Sequence, residues 1–562
     1  MPITFWRRAF RPFKCAEYLS SPPKVTISAF TETGQEESSI IVPLQRSYTG
    51  EGVISSRLAD TPCATFSVQG LLNHLNTTLR TTYSLDNPFL SPLLDDCITN
   101  GYDFGMAYSR LRGIWYTDNW STIQDVLCRW EEEDQEARRK TLVGDQIVNT
   151  WLPPRRVWDL YSNRVVPYWV MNIDSKDRWP RPISHAWMDE KDSTTVWTPI
   201  NGYEWPVPIP KDVDLNLIRI EMLNLGLEYA WLDVLCLRQV GGPRENLRTE
   251  EWKVDVPTIG RVYQHVHVVC YLSGLGRPLT LEEGDLESDR SWFRRAWTLQ
   301  ELGYERVIAG DTPVGPLHAK CKGGKYETEL LTRFHRQLES THAMLWKVHE
   351  LLVEMRKRVS TNPVDKIAGL AFLMNCETIP AYYESASLEQ AWTALVNAMH
   401  KWRRGELFFL CAEPGNAGKK WRPSWDQVMT KPLHSFPPYC ILVRWYGAQD
   451  EDWCNAEGIE GLVLGLAVVE EGDRRGVLIV KDKVGIEHRF EITANHTSPI
   501  PEDTYAMIYT YGFERSLDHG WVVGRSLPGG KFETVSMLII SREEHRRLKN
   551  LGITEKRRHI LI

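Results

Sequence analysis

The sequence predicts an α/β protein: a central open parallel sheet flanked by helices, with a helical region before it and a helical plus antiparallel β region after it. Three observations carry this. Between Pro182 and Gly310 short apolar runs alternate with amphipathic segments, the pattern of a layered α/β unit. From Val68 to about Gln146 apolar residues recur at helical spacing. Beyond Gly461 alternating strand-like runs are broken by Gly and Pro turns.

With 562 residues the chain exceeds what one core usually supports, and a prior of about 150 residues per domain gives roughly three or four units. The expected divisions are an irregular arm over 1–60, a helical region over 61–152, the central domain over 153–315, a second helical region over 316–435 and a β-rich region over 436–562. In the arm, Pro22-Pro23 and the polar stretch Thr31 to Ser39 read as loop or disorder. The charged run Glu131 to Lys140 follows Trp120 and Trp130, which are expected to pack against the next layer. Pro153-Pro154 then link to the central unit.

That unit reads in order. Pro182 to Trp187 is a short strand and turn, Leu217 to Leu227 a helix ended by Gly226, and Tyr229 to Leu237 a buried strand. Trp252, Val256, Ile259, Tyr263 and Val266 share a helical face, with Asp255 as cap and Pro257 in the first turn. The strand His267 to Leu272, an acidic loop from Glu282 to Arg290, a helix from Ser291 to about Glu305 and the strand Arg306 to Ala309 complete it. A long helix over Tyr326 to Val359, helical pieces at Asp365 to Leu373 and Ala391 to Lys401, and strands at Leu462 to Val469, Gly476 to Lys481, Tyr505 to Tyr511 and Thr534 to Ile540 follow.

Composition removes several classes of function. No run of 18 apolar residues occurs and the N-terminus lacks a signal-peptide pattern, so a soluble cytoplasmic protein without a transmembrane segment is expected. The 11 cysteines are scattered without zinc or disulfide spacing, which predicts reduced thiols and no metal. A net charge of -7 disfavours a nucleic-acid partner. The basic segment holding Arg7, Arg8, Arg11 and Lys14 among Phe5, Trp6, Phe10 and Phe13 is interrupted by Pro12 and reads as a packed arm more than as a membrane-touching helix. The basic residues from Arg546 to Arg558 read as a solvated helix and tail. The 23 tryptophans serve cores, interfaces and stacking sites equally and choose none of them.

Three motifs concentrate chemistry: Ile183-Ser184-His185-Ala186-Trp187; Trp231-Leu232-Asp233-Val234-Leu235-Cys236-Leu237-Arg238-Gln239; and Arg295-Ala296-Trp297-Thr298-Leu299-Gln300-Glu301-Leu302. In order and separation they resemble the fungal heterokaryon incompatibility (HET) domain, over about a quarter of the chain. Asp365 to Leu373 and Trp421-Arg422-Pro423-Ser424-Trp425 resemble that family's flanking regions; Trp187-Met188 departs from its usual Trp-Gly. The HET domain is in turn similar to the TIR fold of immune and cell-death proteins, a flavodoxin-like open parallel sheet. In TIR enzymes a glutamate in a Trp-Cys-x-x-Glu-Leu helix cleaves NAD at the nicotinamide-ribose bond, and the resemblance puts it at Glu301, with Thr298 where TIR has Cys.

The resemblance implies Glu301 as catalytic residue, with Ser184, His185, Trp187, Asp233, Arg238 and Trp297 binding a nucleotide-type ligand, NAD being substrate and no resident cofactor being required. Ser184 and His185 suit phosphate or ribose hydroxyls, Trp187 suits ring stacking, and Asp233 suits a ribose hydroxyl; capping and packing roles compete for each. Helical phase places Trp292, Ala296, Leu299 and Gly303 on one stripe and Phe293, Trp297 and Glu301 on a second. Glu301 is then a desolvated carboxylate beside an indole, either catalytic or structural and paired with Arg294, Arg295 or a backbone amide.

Other features carry less. Cys236 near His185 reads as a buried inert thiol rather than a nucleophile. Gly274 and Gly276 lack the third glycine of a dinucleotide loop and read as a turn. His335, His342 and His349, seven apart, are too far apart for one metal and read as surface or partner-facing. Two functions therefore stand: an oligomeric NAD-cleaving effector of non-self recognition and programmed cell death, or a non-catalytic signalling scaffold. A metabolic enzyme that recruited the fold for another small molecule is a weaker third.

Overall fold

The computed structural model describes residues 21–117, 119–171, 179–264, 267–301, 305–312, 328–343, 347–435, 441–468, 472–509 and 518–562. The basic segment Arg7 to Lys14 lies outside them. The chain divides into two compact units, residues 1–339 with 381–383, and residues 340–380 with 384–562.

The first unit is built on a mixed six-stranded sheet. Its order is Arg306–Ile308, Val268–Tyr271, Arg181–His185, Tyr229–Trp231, Arg156–Asp159 and Arg164–Pro167. The first four are parallel, in register Val268↔Arg306, Cys270↔Ser184 and Ala230↔Arg181. The last two form a hairpin added antiparallel at the edge, so the sheet is mixed where an all-parallel one was expected. The chain passes from the central strand Arg181–His185 to one neighbour, Tyr229–Trp231, and then crosses to the other, Val268–Tyr271. The strand order thus reverses at the central strand, and its carboxyl end opens between diverging connections.

The 61–152 region is helical as expected, with helices Val68–Leu79, Leu90–Thr99, Phe104–Arg112 and Ile123–Thr141 around a core of Leu71, Leu75, Leu94, Phe104, Leu111 and Trp115. Ser67 and Asp103 cap two of these helices by accepting from backbone N–H groups. Trp120 and Trp130 pack against this core.

Four local expectations are corrected. The arm is not irregular: Lys24–Ser28 pairs with Ser47–Glu51, and Ser28 opens the helix Ala29–Thr33 with a capping box. Tyr229–Trp231 is followed not by more strand but by the helical turn Asp233–Cys236, because Asp233 Oδ1 accepts the Val234 N–H at 2.7 Å and starts the turn. The helix through Trp252 and Tyr263 is two helices, Arg248–Asp255 and Ile259–Gln264. Pro257 has no N–H for the Lys253 carbonyl, which accepts from Tyr382 instead, and Asp255 pairs with Arg155 at 2.6 Å rather than capping.

The fourth correction falls on the segment carrying Glu301. In place of a helix from Ser291 there are two 3-10 turns, Trp292–Arg294 and Trp297–Leu299, separated by extended backbone at Arg295. The Thr298 hydroxyl lies 2.6 Å from the Trp292 carbonyl and 2.8 Å from that of Arg295, competing for acceptors a helix would use. The two-stripe phase argument for Glu301 therefore does not hold. Further on, the long helix is two, Glu329–Ala343 and Val348–Arg356; His335 is buried against Phe334, not on the surface, and His349 is half-buried.

In the second unit the expected antiparallel β region is a closed ring. The strand Glu451–Leu464 pairs on one side with Arg474–Lys481 and on the other with Asp503–Tyr509. Arg474–Lys481 continues through Glu487–Ala494 and Lys531–Ser541 to Asp518–Leu527, which pairs with Asp503–Tyr509 and completes six strands. Alternate side chains, among them Ile459, Leu478, Phe490, Met507, Trp521 and Leu538, fill the interior. A Cβ at Gly461 would come 2.7 Å from the end of the Leu478 side chain and 3.0 Å from the Ile479 carbonyl oxygen, so the neighbouring strand leaves little room for a side chain there. Leu548 of the helix Arg542–Asn550 joins this core, and Glu555–Leu561 adds a strand antiparallel to Glu451–Leu464 and parallel to Lys531–Ser541.

In the first unit, the helix Leu215–Asn224 anchors the arm through a fully buried ion pair, Arg219 to Glu32 at 3.2 Å. Arg219 also donates to the carbonyls of Leu160, Ile54 and Tyr161. Arg219→Leu strands the Glu32 charge and these carbonyls, and is expected to cost about 3–5 kcal/mol in chemical denaturation. Adding Glu32→Leu should recover part of that loss; no recovery in the double variant would mean the pair is not the source.

Candidate functional site

The central strand ends in Ser184 and His185, whose side chains leave opposite faces of the sheet. Ser184 is fully buried, yet both hydrogen-bonding capacities of its hydroxyl are used. It accepts the Trp292 indole N–H at 2.7 Å and donates to Glu301 Oε2 at 2.5 Å. An indole can only donate, so this order of donation is fixed, and it aims the Ser184 proton at Glu301. The 3-10 turns bring Trp292 and Glu301 to the same hydroxyl, with Glu301 only 7% exposed. The negative charge of Glu301 is felt nearby: burial first, and then Glu301, push up the Tyr263 phenol and the Cys270 thiol, the latter to about 12.

His185 enters a second group centred on Asp233, two residues past the end of the neighbouring strand Tyr229–Trp231. Asp233 Oδ1 accepts from His185 Nε2 at 2.9 Å and from the Val234 N–H, while Oδ2 accepts the Trp187 indole N–H at 3.1 Å. The imidazole and indole rings stack 5.9 Å apart at 22°. Burial works against charge on both partners. It is outweighed in His185 by the Asp233 charge and hydrogen bond, aided by Glu301, which hold the imidazole above its ordinary value. It is outweighed in Asp233 by His185 and by the Val234 and Trp187 donors, which hold the carboxyl below its ordinary value. Each partner thus favours the charged form of the other, beneath the Trp187 indole.

Trp187, 39% exposed, forms one wall of a hollow open to solvent. His185, Met188 and Leu275 contribute to it, and the hairpin Ser193–Val196/Val207–Pro210 supplies Ser193, Pro208, Ile209 and Pro210 opposite. The hollow is small, with a cavity volume of about 20 Å³. Met188 packs towards Gly274, whose φ of +110° is left-handed and whose absent side chain leaves that room. Gly274 and Gly276 form a turn, as read from the sequence.

No protein-family model, curated protein or solved structure matches the chain. The site therefore rests on its own geometry.

Of the residues named from sequence, Ser184 and Glu301 belong to one hydrogen-bonded group and His185, Trp187 and Asp233 to another, the two leaving opposite faces of the central strand's carboxyl end. Arg238 and Trp297 do not join their hydrogen bonds. Arg238 is bound to Glu204 at 3.0 Å and to Glu251 at 3.2 Å beneath Trp205, and Trp297 faces Tyr382. Cys236 is buried, its thiol pushed by burial to about 12, in keeping with an inert thiol. Among the described residues no cluster of His, Cys, Asp or Glu has a metal-binding arrangement.

Sequence reading missed two participants. Trp292 read as core, yet its N–H fixes Ser184. Glu221 falls within the expected helix Leu217 to Leu227 and was not singled out, yet it is fully buried and takes donors from Gln45 at 2.8 Å, Tyr271 at 2.5 Å and the Gly310 N–H at 2.8 Å. Burial leaves its carboxyl above the ordinary value. Tyr271 is the register partner of His185, so Glu221 braces the adjoining strand end. The Pro208 and Pro210 alternation was the one available signal for an edge ribbon walling the hollow.

The His185–Asp233 pair gives a signed pH dependence. A raised histidine stabilises fully below its ordinary 6.5 and loses that stability as pH rises through its folded value. A lowered aspartate stabilises above its ordinary 3.8 and loses it as pH falls through its folded value. The melting-temperature gap between the parent and His185→Gln is therefore expected to be widest between those two values and to narrow at alkaline pH. A gap that stays constant from pH 5 to 9 would rule the pair out.

Proposed function

We propose that the strand-end site binds a nucleotide-type small molecule and hydrolyses NAD at the nicotinamide-ribose bond. The observation that carries this reading is the Ser184–Glu301 hydrogen bond, which holds a carboxylate at the carboxyl end of the central strand. Supporting it, the parallel strands run in the order second, first, third, fourth, as in flavodoxin-like and TIR sheets, whose ligands lie at the reversal point.

In the reaction the C1′–N bond breaks with its electron pair going to the nicotinamide nitrogen, and water adds to C1′ with loss of a proton. Positive charge grows on the ribose as the bond opens, so a fixed carboxylate stabilises the transition state more than the ground state. Glu301 supplies that charge. Ser184 holds the carboxylate in one orientation, and Trp187 offers a stacking surface for a planar ring. With the HET and TIR resemblance, this makes the chain a cytoplasmic effector of fungal non-self recognition that self-associates and depletes NAD.

A second reading, a non-catalytic signalling scaffold, is favoured by one observation. Ser184 is wholly buried and Glu301 nearly so, and the hollow is shallow, so a dinucleotide reaches Glu301 only after the site opens.

Purified protein incubated with NAD and assayed for free nicotinamide separates the two. Activity is expected to fall about 100- to 1000-fold in Glu301→Gln, the scale for removing one fixed electrostatic group. Full activity in that variant would remove Glu301 from the mechanism; no activity in the parent at high protein concentration would leave the scaffold.

A further inference from the structure

Three histidines far apart in sequence gather around His434 in the second unit. His349 stands in the first turn of the helix Val348–Arg356, His434 follows the helix Trp425–Thr430, and His496 lies just past the strand Glu487–Ala494. The His434 and His496 rings are 6.1 Å apart at 76°, and His349 Nε2 meets the carbonyl of Leu433 at 3.3 Å. All three are half-buried.

Their hydrogen bonds suit uncharged rings. A carbonyl can only accept, so His349 and His496 carry a proton on Nε2, towards Leu433 and, at 2.7 Å, towards Met537. A further proton has to go to Nδ1. In His349 that nitrogen is buried with no hydrogen-bond partner, and in His496 it faces Arg474 Nη2 at 3.4 Å. Arg474 is itself fixed: it is buried and donates to the carbonyls of Leu466, Val468, His496 and Ser498.

The acids of the packed elements have cations of their own: Glu350 pairs with Lys347 at 2.7 Å, Glu406 with Arg403 at 2.8 Å and Glu413 with Lys431 at 2.9 Å. Arg356 donates to the carbonyls of Val428 and Lys431, and burial keeps the Cys411 thiol above its ordinary value and so uncharged. Burial, then His496 and His349, hold the His434 imidazole below its ordinary value. Burial and the Arg474 charge do the same to His496, against the Met537 and Ser498 carbonyls and Glu413.

We propose that this cluster is an acid-sensitive latch: neutral rings hold residues 431–435 against the loop 495–500, and protonation of His434 and His496 beside the fixed Arg474 parts them. A histidine held below its ordinary 6.5 favours the closed form fully above 6.5, and that preference is lost as pH falls towards and through its folded value.

Hydrogen exchange read by mass spectrometry on the full chain, from pH 7.5 to 5.0 and corrected for intrinsic rates, tests this. The reporters are the His434 N–H, which donates to Leu410, and the Ile500 N–H, which donates to Leu466. Protection there is expected to hold above pH 6.5 and to fall below it by up to about tenfold per pH unit for each histidine protonated, while the strand Glu451–Leu464 stays protected. His434→Gln with His496→Gln should abolish the fall. Constant protection in the parent down to pH 5.0 overturns the proposal, as does an equal loss throughout the unit or an unchanged pH dependence in the double variant. Should that variant be open already at pH 7.5, His434→Gln alone decides: its logarithmic slope should be about half the parent's, and an equal slope overturns the latch.

Discussion

The hydrogen bond from Ser184 to Glu301 joins residues 117 apart in sequence, and the candidate site depends on it. A carboxylate with so little water around it needs donors whose geometry is set by something else. Ser184 is such a donor, because its strand is hydrogen-bonded on both sides and the Trp292 indole orients its hydroxyl. The turns carrying Trp292 and Glu301 are therefore tied to the sheet through this one hydroxyl.

The first unit shows two ways of keeping a carboxylate out of water. Asp233 is matched with a histidine and two N–H groups and is held in its charged form. Glu221 receives only neutral donors, and burial favours its protonated form. The pair suits chemistry in which charge is wanted, while the neutral arrangement suits bracing, since it asks no counter-charge of the interior.

What the sequence disclosed follows from the range of the forces involved. The alternation of strands and helices, the N-terminal helices and the strand-rich end are set by periodicity within a dozen residues, and they appear as expected. Ser184, His185, Trp187, Asp233 and Glu301 were singled out on three motifs and their resemblance, and they fall into two hydrogen-bonded groups by the carboxyl ends of neighbouring strands. The turns around Glu301 were misread because the Thr298 hydroxyl competes for carbonyls, a contest invisible to a count of apolar spacing. The two helices in place of one at Pro257 were legible in principle, since the missing N–H is a property of that residue alone. Ring closure, the arm hairpin and the Glu221 cluster rest on partners far away in the chain, which no local pattern reports.

The closed ring has a consequence for how the chain is made. Gly458 to Val463 find their partners in residues 503 to 508, so during synthesis that edge waits, unpaired, until the fourth strand of the ring has emerged. Until then it is an open row of backbone donors and acceptors, the kind of edge on which strands of separate chains join. The second unit is thus most vulnerable to misassembly before its own last strands arrive, and a chain cut short after Ala494 would keep that vulnerability for good.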